Sequence, residues 1–335
     1  MSGELLVRGE GLGKRFAAER DWLGRPRKWV QAVREVSLAI ERGTTLGLVG
    51  ESGCGKSTVG RMLLALTPPT AGRSFLGDLE VTALSGEPLR RLRKRMQMVF
   101  QDPYASLNPR VRIADALAMP LRIHLPELSP SERRDRVEAL LARVGLRPDH
   151  AQRLPGEFSG GQRQRIVIAR ALASEPDFVF ADEPVSALDV SVQAQIVNLL
   201  GDLQHERGLT YLFVSHDLKV VQHVARRIAV MYFGRIVEEA PRDALFAGAR
   251  HPYTQALLSA VPDPRPGHRR LRILLDGEIP SPLRPPQGCS FHPRCPLARR
   301  LGDRERERCQ NEAPELQPMA GDPSHRVACH YAASS

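Results

Sequence analysis

Gly50-Glu-Ser-Gly-Cys-Gly55-Lys56-Ser57 is the stretch of this sequence that decides the fold. It fits the pattern G-x-x-x-x-G-K-[ST], and each part answers a chemical need. Glycines let the backbone curl, so that successive N–H groups along Gly50, Glu51, Ser52, Gly53, Cys54 and Gly55 converge on a β-phosphate. The helix that follows adds its positive N-terminal end. Lys56 can reach the β- and γ-phosphates, the Ser57 hydroxyl is placed to ligate Mg²⁺, and Thr58 is the next contact, toward the α-phosphate. Cys54 is read as a small residue whose neighbours, not its thiol, touch phosphate. Upstream, Thr45-Leu-Gly-Leu-Val49 reads as a buried strand. Downstream, residues 57–66 read as a helix stopped by Thr67-Pro68-Pro69. Phosphate binding follows; the reaction does not.

Farther out, short apolar runs alternate with helical patterns. Met96 to Phe100, Phe178 to Ala181 and Tyr211 to Val214 read as strands, the last two of the kind found in parallel sheets covered on both faces. Ile228 to Phe233, Gly234, then Arg235 to Glu238 reads as a closing hairpin. Ser129-Pro130-Ser131-Glu132 has the form of a helix start, with a Ser cap, Pro in the first position and Glu completing a capping box. Val137, Leu140, Leu141 and Val144 follow at helical spacing, and Gly145 ends the segment. The alternation indicates an α/β fold. After about residue 240 the composition changes: 14 of the 27 prolines lie in residues 240–335, with only four aromatics (Phe246, Tyr253, Phe291, Tyr331). Such a stretch buries little apolar area, so it needs either the main domain or a metal as a staple.

The 335 residues suit two domains with elaborations. No apolar run approaches the roughly 18 residues that span a bilayer. The first ten residues carry acids and glycines where a secretory signal needs a basic patch and an apolar stretch. The expectation is therefore a cytosolic chain. A net charge of +10 raises nucleic acid as a partner. Yet only five of the 48 basic residues are lysine, and the arginines are scattered among residues 25–28, 90–95, 269–272 and 299–308. A surface near anionic lipid or a membrane partner accounts for the charge equally well. Five cysteines, an odd number in a chain without an export signal, argue against a disulfide framework. Cys289, Cys295, Cys309 and Cys329 instead cluster toward one end, which suggests a metal site.

Two further motifs name the chemistry. Phe178-Val-Phe-Ala-Asp182-Glu183 is an apolar strand ending in two carboxylates: Asp182 would hold Mg²⁺ through water opposite Ser57, and Glu183 would polarise the attacking water. Phe158-Ser159-Gly160-Gly161-Gln162 opens a helix with a Ser cap and exposed N–H groups, a second anion site in one chain. With these, residues 5–240 resemble the ATP-binding-cassette (ABC) ATPases, phosphate-loop NTPases with a helical subdomain. The resemblance implies that Ser159, Gly160, Gly161 and Gln162 are the signature, pressed against the γ-phosphate held by the opposite subunit. It makes Gln101 the Q-loop residue that senses Mg²⁺ and the membrane subunit, Asp189 part of the D-loop that crosses the dimer, and His216 the switch histidine. Phe16 matches the aromatic that stacks on adenine, with Trp29 a rival in the insertion Ala17 to Val30. Phe158 replaces the usual Leu, which should alter helix packing more than anion contact. Each site would take its halves from two chains, so a second cassette subunit, identical or not, is expected.

A second resemblance covers nearly the whole chain. Val-Phe-Gln101-Asp-Pro-Tyr104-Ala-Ser-Leu-Asn108-Pro-Arg110 and His251-Pro-Tyr253-Thr-Gln-Ala-Leu-Leu-Ser look like the ATP-binding subunits of bacterial dipeptide and oligopeptide importers. It implies two membrane permeases, an extracytoplasmic peptide-binding protein and a peripheral place on the cytoplasmic face of the inner membrane. It also implies a division into a nucleotide-binding domain at 1–240, its helical subdomain at about 101–155, and a Pro/Cys-rich extension at 241–335. Nickel importers share much of the core. Some members hold a [4Fe–4S] cluster on cysteines like these four; zinc on the same four thiolates, or with His292 or His330 substituted, and free thiols are the alternatives. The rival of another class is a soluble ABC protein acting on nucleic acid or ribosomes. Only 102 residues separate Lys56 from Ser159, too few for the long coiled coil of repair-type members, and the chain has a single cassette. No nucleic acid is expected.

Overall fold

The computed structural model describes residues 3–261, 271–278 and 280–332. Its centre is an eight-stranded sheet in the order Gln317–Met319, Asp322–Val327, Arg235–Pro241, Arg227–Tyr232, Thr45–Val49, Thr210–Ser215, Phe178–Asp182, Met96–Val99. The last five strands in that order are mutually parallel. Every residue of Thr45–Val49, Phe178–Asp182 and Thr210–Ser215 is buried, as a sheet covered on both faces requires. Parallel strands carry their carboxyl ends to one edge, so the turn after Val49 and the acids after Ala181 open on the same side. A smaller antiparallel sheet, ordered Pro26–Glu41, Leu5–Arg20, Ala71–Leu76, Leu79–Glu80, packs beside it.

Between Phe100 and Ser159 lie the helices Ile113–His124 and Pro130–Arg143. The second begins as its sequence dictates: the Ser129 side chain accepts from the Glu132 N–H, and the Glu132 carboxylate accepts from the Ser129 N–H. Its buried residues Val137, Leu140 and Leu141 face the core, and Gly145 follows with φ of 73°. Phe158 is buried edge-on against His150, ring centres 5.3 Å apart, so the aromatic at the head of the signature serves packing.

One helix boundary differs from the sequence reading. The helix after the phosphate loop is Lys56–Leu63, not 57–66. It is closed before the prolines by a left-handed Ala65 (φ 48°), with the Leu66 N–H returning to the Arg61 carbonyl at 2.9 Å. The C-terminal stretch has a staple other than metal. Asp322–Val327 adds a strand to the eight-stranded sheet beside Arg235–Pro241. Across that junction His325 Nε2 lies 2.7 Å from Glu238 Oε1, both side chains buried.

Candidate nucleotide site

The phosphate loop lines a cleft of about 640 Å³ with Ser52, Gly53, Gly55, Lys56, Ser57 and Thr58 on one wall and Gln101, Glu183 and His216 on the other. Its backbone is possible only with glycine at key points. At Gly55, φ is 109°, and a Cβ there would meet the Ala32 carbonyl oxygen at 2.3 Å. Lys56 is 4% exposed, and its ammonium is held by the carbonyls of Gly50 (2.8 Å) and Glu51 (3.0 Å). A buried cation resting on neutral carbonyls has spare capacity for an anion. Cys54 is buried behind the loop, and that burial raises its thiol pKa, in keeping with a spacer role.

Asp182 and Glu183 sit side by side but in different surroundings. Asp182 is 2% exposed and accepts from the Ser57 hydroxyl at 2.7 Å. Burial raises its pKa; the Ser57 hydrogen bond and the Arg61 guanidinium oppose this, and the neighbouring Glu183 charge adds to it. Ser57 and Asp182 together form a hard-oxygen pair suited to Mg²⁺. Glu183 adopts a left-handed backbone, φ 46°. For a residue with a side chain this costs on the order of 1–3 kcal/mol. It is fixed there by its N–H to the Val214 carbonyl and by Ser186, whose N–H and hydroxyl both reach the Glu183 carbonyl. The kink turns the carboxylate into the cleft, where Oε2 accepts from Gln101 Nε2 at 3.3 Å and lies 3.1 Å from His216 Nδ1. Three residues far apart in sequence thus meet at one oxygen.

The other expected residues stand apart from this cleft. Ser159 caps the helix Gly160–Leu172 through a capping box with Gln162. Gly161 has a packing reason to lack a side chain: a Cβ would lie 2.4 Å from Val192 Cγ1. Asp189 caps the neighbouring helix Val190–Arg207 by accepting from the Val192 N–H at 3.0 Å. Phe16 and Trp29 are both substantially exposed on paired strands, Phe16 opposite Val30 and Trp29 opposite Ala17.

Two contacts on the loop lie beyond what sequence reasoning identifies. The Glu51 N–H donates to the Tyr253 hydroxyl at 2.9 Å, and the Glu51 carboxylate receives three hydrogen bonds from Arg294 at 3.0–3.3 Å. Tyr253 lies within the importer-like His251-Pro-Tyr253 motif. Nothing in the sequence separates Arg294 from the many other arginines except its place beside Cys295.

The four C-terminal cysteines are close enough to influence one another, and the Cys289 N–H bonds the Cys309 carbonyl at 2.9 Å. Burial is the main cause that pushes their thiols up, Cys289 to about 12 and Cys329 to about 11, with Cys295 and Cys309 also raised. A soft metal would have to displace these protons to bind there. Among the described residues, no group of three or more His, Cys, Asp or Glu side chains is arranged to hold a metal ion. The expectation of an iron–sulfur cluster, or of zinc in its place, is therefore not supported by this arrangement.

Comparison with known proteins agrees with the fold. The ABC transporter profile matches residues 33–186. The chain is 52% identical over 304 residues to the oligopeptide transport ATP-binding protein AppF of Bacillus subtilis, covering 90% of this chain and 89% of that one. It is 50% identical over 304 residues to the dipeptide transport ATP-binding protein DppF of Escherichia coli, covering 91% and 88%. Among solved structures it resembles the ATP-binding cassette MJ0796, a dimer in a post-hydrolysis state with ADP and Pi bound. That match has a TM-score of 0.64 and 30% identity, over 71% of this chain and 99% of the other. The chain belongs to the ATP-binding subunits of ABC transporters. More particularly, residues 237–300 match the oligopeptide/dipeptide transporter C-terminal region, the mark of the peptide-transport branch.

Proposed function

We propose that this chain hydrolyses ATP to power import of di- or oligopeptides through a pair of partner permeases. The observation that carries the reading is the joining, in one chain, of a cassette cleft to a C-terminal stretch matching the oligopeptide/dipeptide transporter region. The division at 1–240 and 241–335, with a helical subdomain at about 101–155, belongs to the same proposal. So do a second cassette subunit, an extracytoplasmic peptide-binding protein and a peripheral position on the cytoplasmic face of the inner membrane. Among the described residues no helix is long and apolar enough to cross a membrane. Membrane attachment would therefore come from the permeases.

The residues fit the chemistry of a magnesium nucleotide. The loop N–H groups and Lys56 bind the polyphosphate, and Ser57 with Asp182 would hold Mg²⁺. When bound, that ion neutralises charge on the β- and γ-phosphates. Glu183, its carboxylate aimed by the kinked backbone, orients and polarises the attacking water. Gln101 and His216 fix that carboxylate from either side, and His216 is the group placed to sense the γ-phosphate. Ser159, Gly160, Gly161 and Gln162 would close on the nucleotide held by the opposite subunit, and Phe16 would stack on adenine.

The test is ATP-dependent uptake of a labelled dipeptide by vesicles carrying the permease pair, this chain and its sister cassette. Uptake supports the reading. ATP turnover with nickel uptake and no peptide uptake would replace the substrate, and co-purification with ribosomes instead of permeases would overturn the assignment.

A further inference from the structure

Glu51 is an odd residue to find where a triphosphate must bind. It is the second residue of the phosphate loop, and its carboxylate would repel the ligand that the loop's N–H groups collect. The structure answers that charge from the other end of the chain. Arg294 lies 243 positions later and is 8% exposed; it places both terminal nitrogens on the Glu51 carboxylate. Tyr253, fully buried on the helix Pro252–Ser259, takes the Glu51 N–H on its hydroxyl. The two grips share a foundation. Phe291 is buried between the rings of Tyr232 and Tyr253, with centres 5.1 and 5.4 Å away, and it belongs to the same short loop as Arg294. Lys56 holds the Glu51 carbonyl from the opposite side. The backbone N–H, backbone carbonyl and carboxylate of one loop residue are thus all tied, two of them by the C-terminal stretch.

A partly buried ion pair contributes little net stability once desolvation is counted, so its value here is conformational and electrostatic. We propose that Arg294 and Tyr253 are positioning residues for nucleotide binding. Arg294 neutralises the Glu51 carboxylate and turns it from the phosphates, and Tyr253 fixes the first turn of the loop. The C-terminal stretch thereby becomes part of the ATP site. The inference rests on the reading of this loop as the nucleotide site.

The test measures MgADP and MgATP affinity of the purified full-length chain by calorimetry, beside its melting temperature without nucleotide. R294Q weakens MgADP by about tenfold, because removing the charge-assisted hydrogen bonds leaves the loop with an unopposed anion. The same replacement in an E51Q chain costs less than about twofold, because no carboxylate remains to be neutralised. Y253F, which keeps the ring packing, weakens MgADP by about threefold and lowers the melting temperature by only about 2–4 °C. Affinities of R294Q and Y253F within twofold of the parent would overturn the inference, and so would an R294Q effect of equal size in the parent and in the E51Q chain. Should R294Q fail to fold, Y253F decides. K56A separates the two levels. If it binds nucleotide like the parent, the site is misassigned; if it loses binding while R294Q and Y253F do not, only the role of the C-terminal stretch falls.

Discussion

The phosphate-loop face and the signature face use the same element, a glycine-bearing helix start, but they are finished to different degrees. Around Lys56–Leu63 the chain gathers a buried lysine, a Ser57–Asp182 pair and a Glu183 carboxylate flanked by Gln101 and His216. Around Gly160–Leu172 the capping box satisfies Ser159 and Gln162, and none of the four signature residues lines the nucleotide cleft. One face carries a full set of phosphate and magnesium groups. The other is a capped helix start set apart from them; in the proposed reading it receives the opposite subunit's nucleotide, and that asymmetry is the physical ground for expecting a second cassette to complete each site.

The largest effect that would sharpen this contrast falls on hydrolysis. E183Q keeps the shape of the phosphate-loop face but removes the charge that polarises water. ATP turnover falls by about a thousandfold while MgATP affinity stays within twofold, read by phosphate release and calorimetry. Near-normal turnover would break the assignment. G160E attacks the other face, placing an anion where the opposite subunit's γ-phosphate should dock. Turnover falls by about a hundredfold, while MgADP affinity of the single chain is unchanged. Equal loss of MgADP affinity would show that the two faces are not separate.

A smaller effect concerns Asp182. Because burial raises its pKa, a proton competes with Mg²⁺ at higher pH than it would at an ordinary aspartate. MgADP affinity therefore falls as pH drops through the raised pKa, by up to about tenfold per unit below it. D182N should remove that dependence along with most of the Mg²⁺ requirement.

The mildest effect probes the C-terminal stretch. His251 is buried, and that burial depresses its pKa to about 4, so it stays neutral and accepts from the Tyr253 N–H. The unfolded chain takes up this proton from about pH 6.5 downward and the folded chain only near 4. Stability from His251 is thus present above 6.5 and is lost as pH falls toward 4. Glu238 pushes in the same direction. Burial would raise its pKa, but His325 and the N–H groups of Arg250 and His251 outweigh it and hold the carboxyl below its usual value. The melting temperature should fall by about 5 °C between pH 6.5 and 4.5, and by less in H251N, which keeps a cap acceptor.

The same contrast marks how much is legible in the sequence. The cleft can be read because its chemistry is local: glycines at fixed offsets from Lys56, an apolar strand ending in Asp182 and Glu183, a Ser159 cap. The Ser129–Glu132 box and the buried strands likewise depend on residues a few positions apart. Long-range ties leave no such trace. Asp322–Val327 is polar and contains a proline, so it does not read as a strand; it becomes one by pairing with Arg235–Pro241 and seating His325 on Glu238. The Arg294–Glu51 contact has no spacing rule at all. The cysteine cluster is read from type and proximity, and its burial is a property of packing that the sequence does not display.

The 243-residue separation between Glu51 and Arg294 also orders events in time. As the ribosome delivers the chain, the phosphate loop emerges long before the arginine that grips it. Every nascent cassette therefore passes through a period in which Glu51 is unopposed beside its phosphate-binding neighbours. On the role proposed for Arg294, the nucleotide site would reach its full affinity only once the C-terminal stretch has arrived and docked.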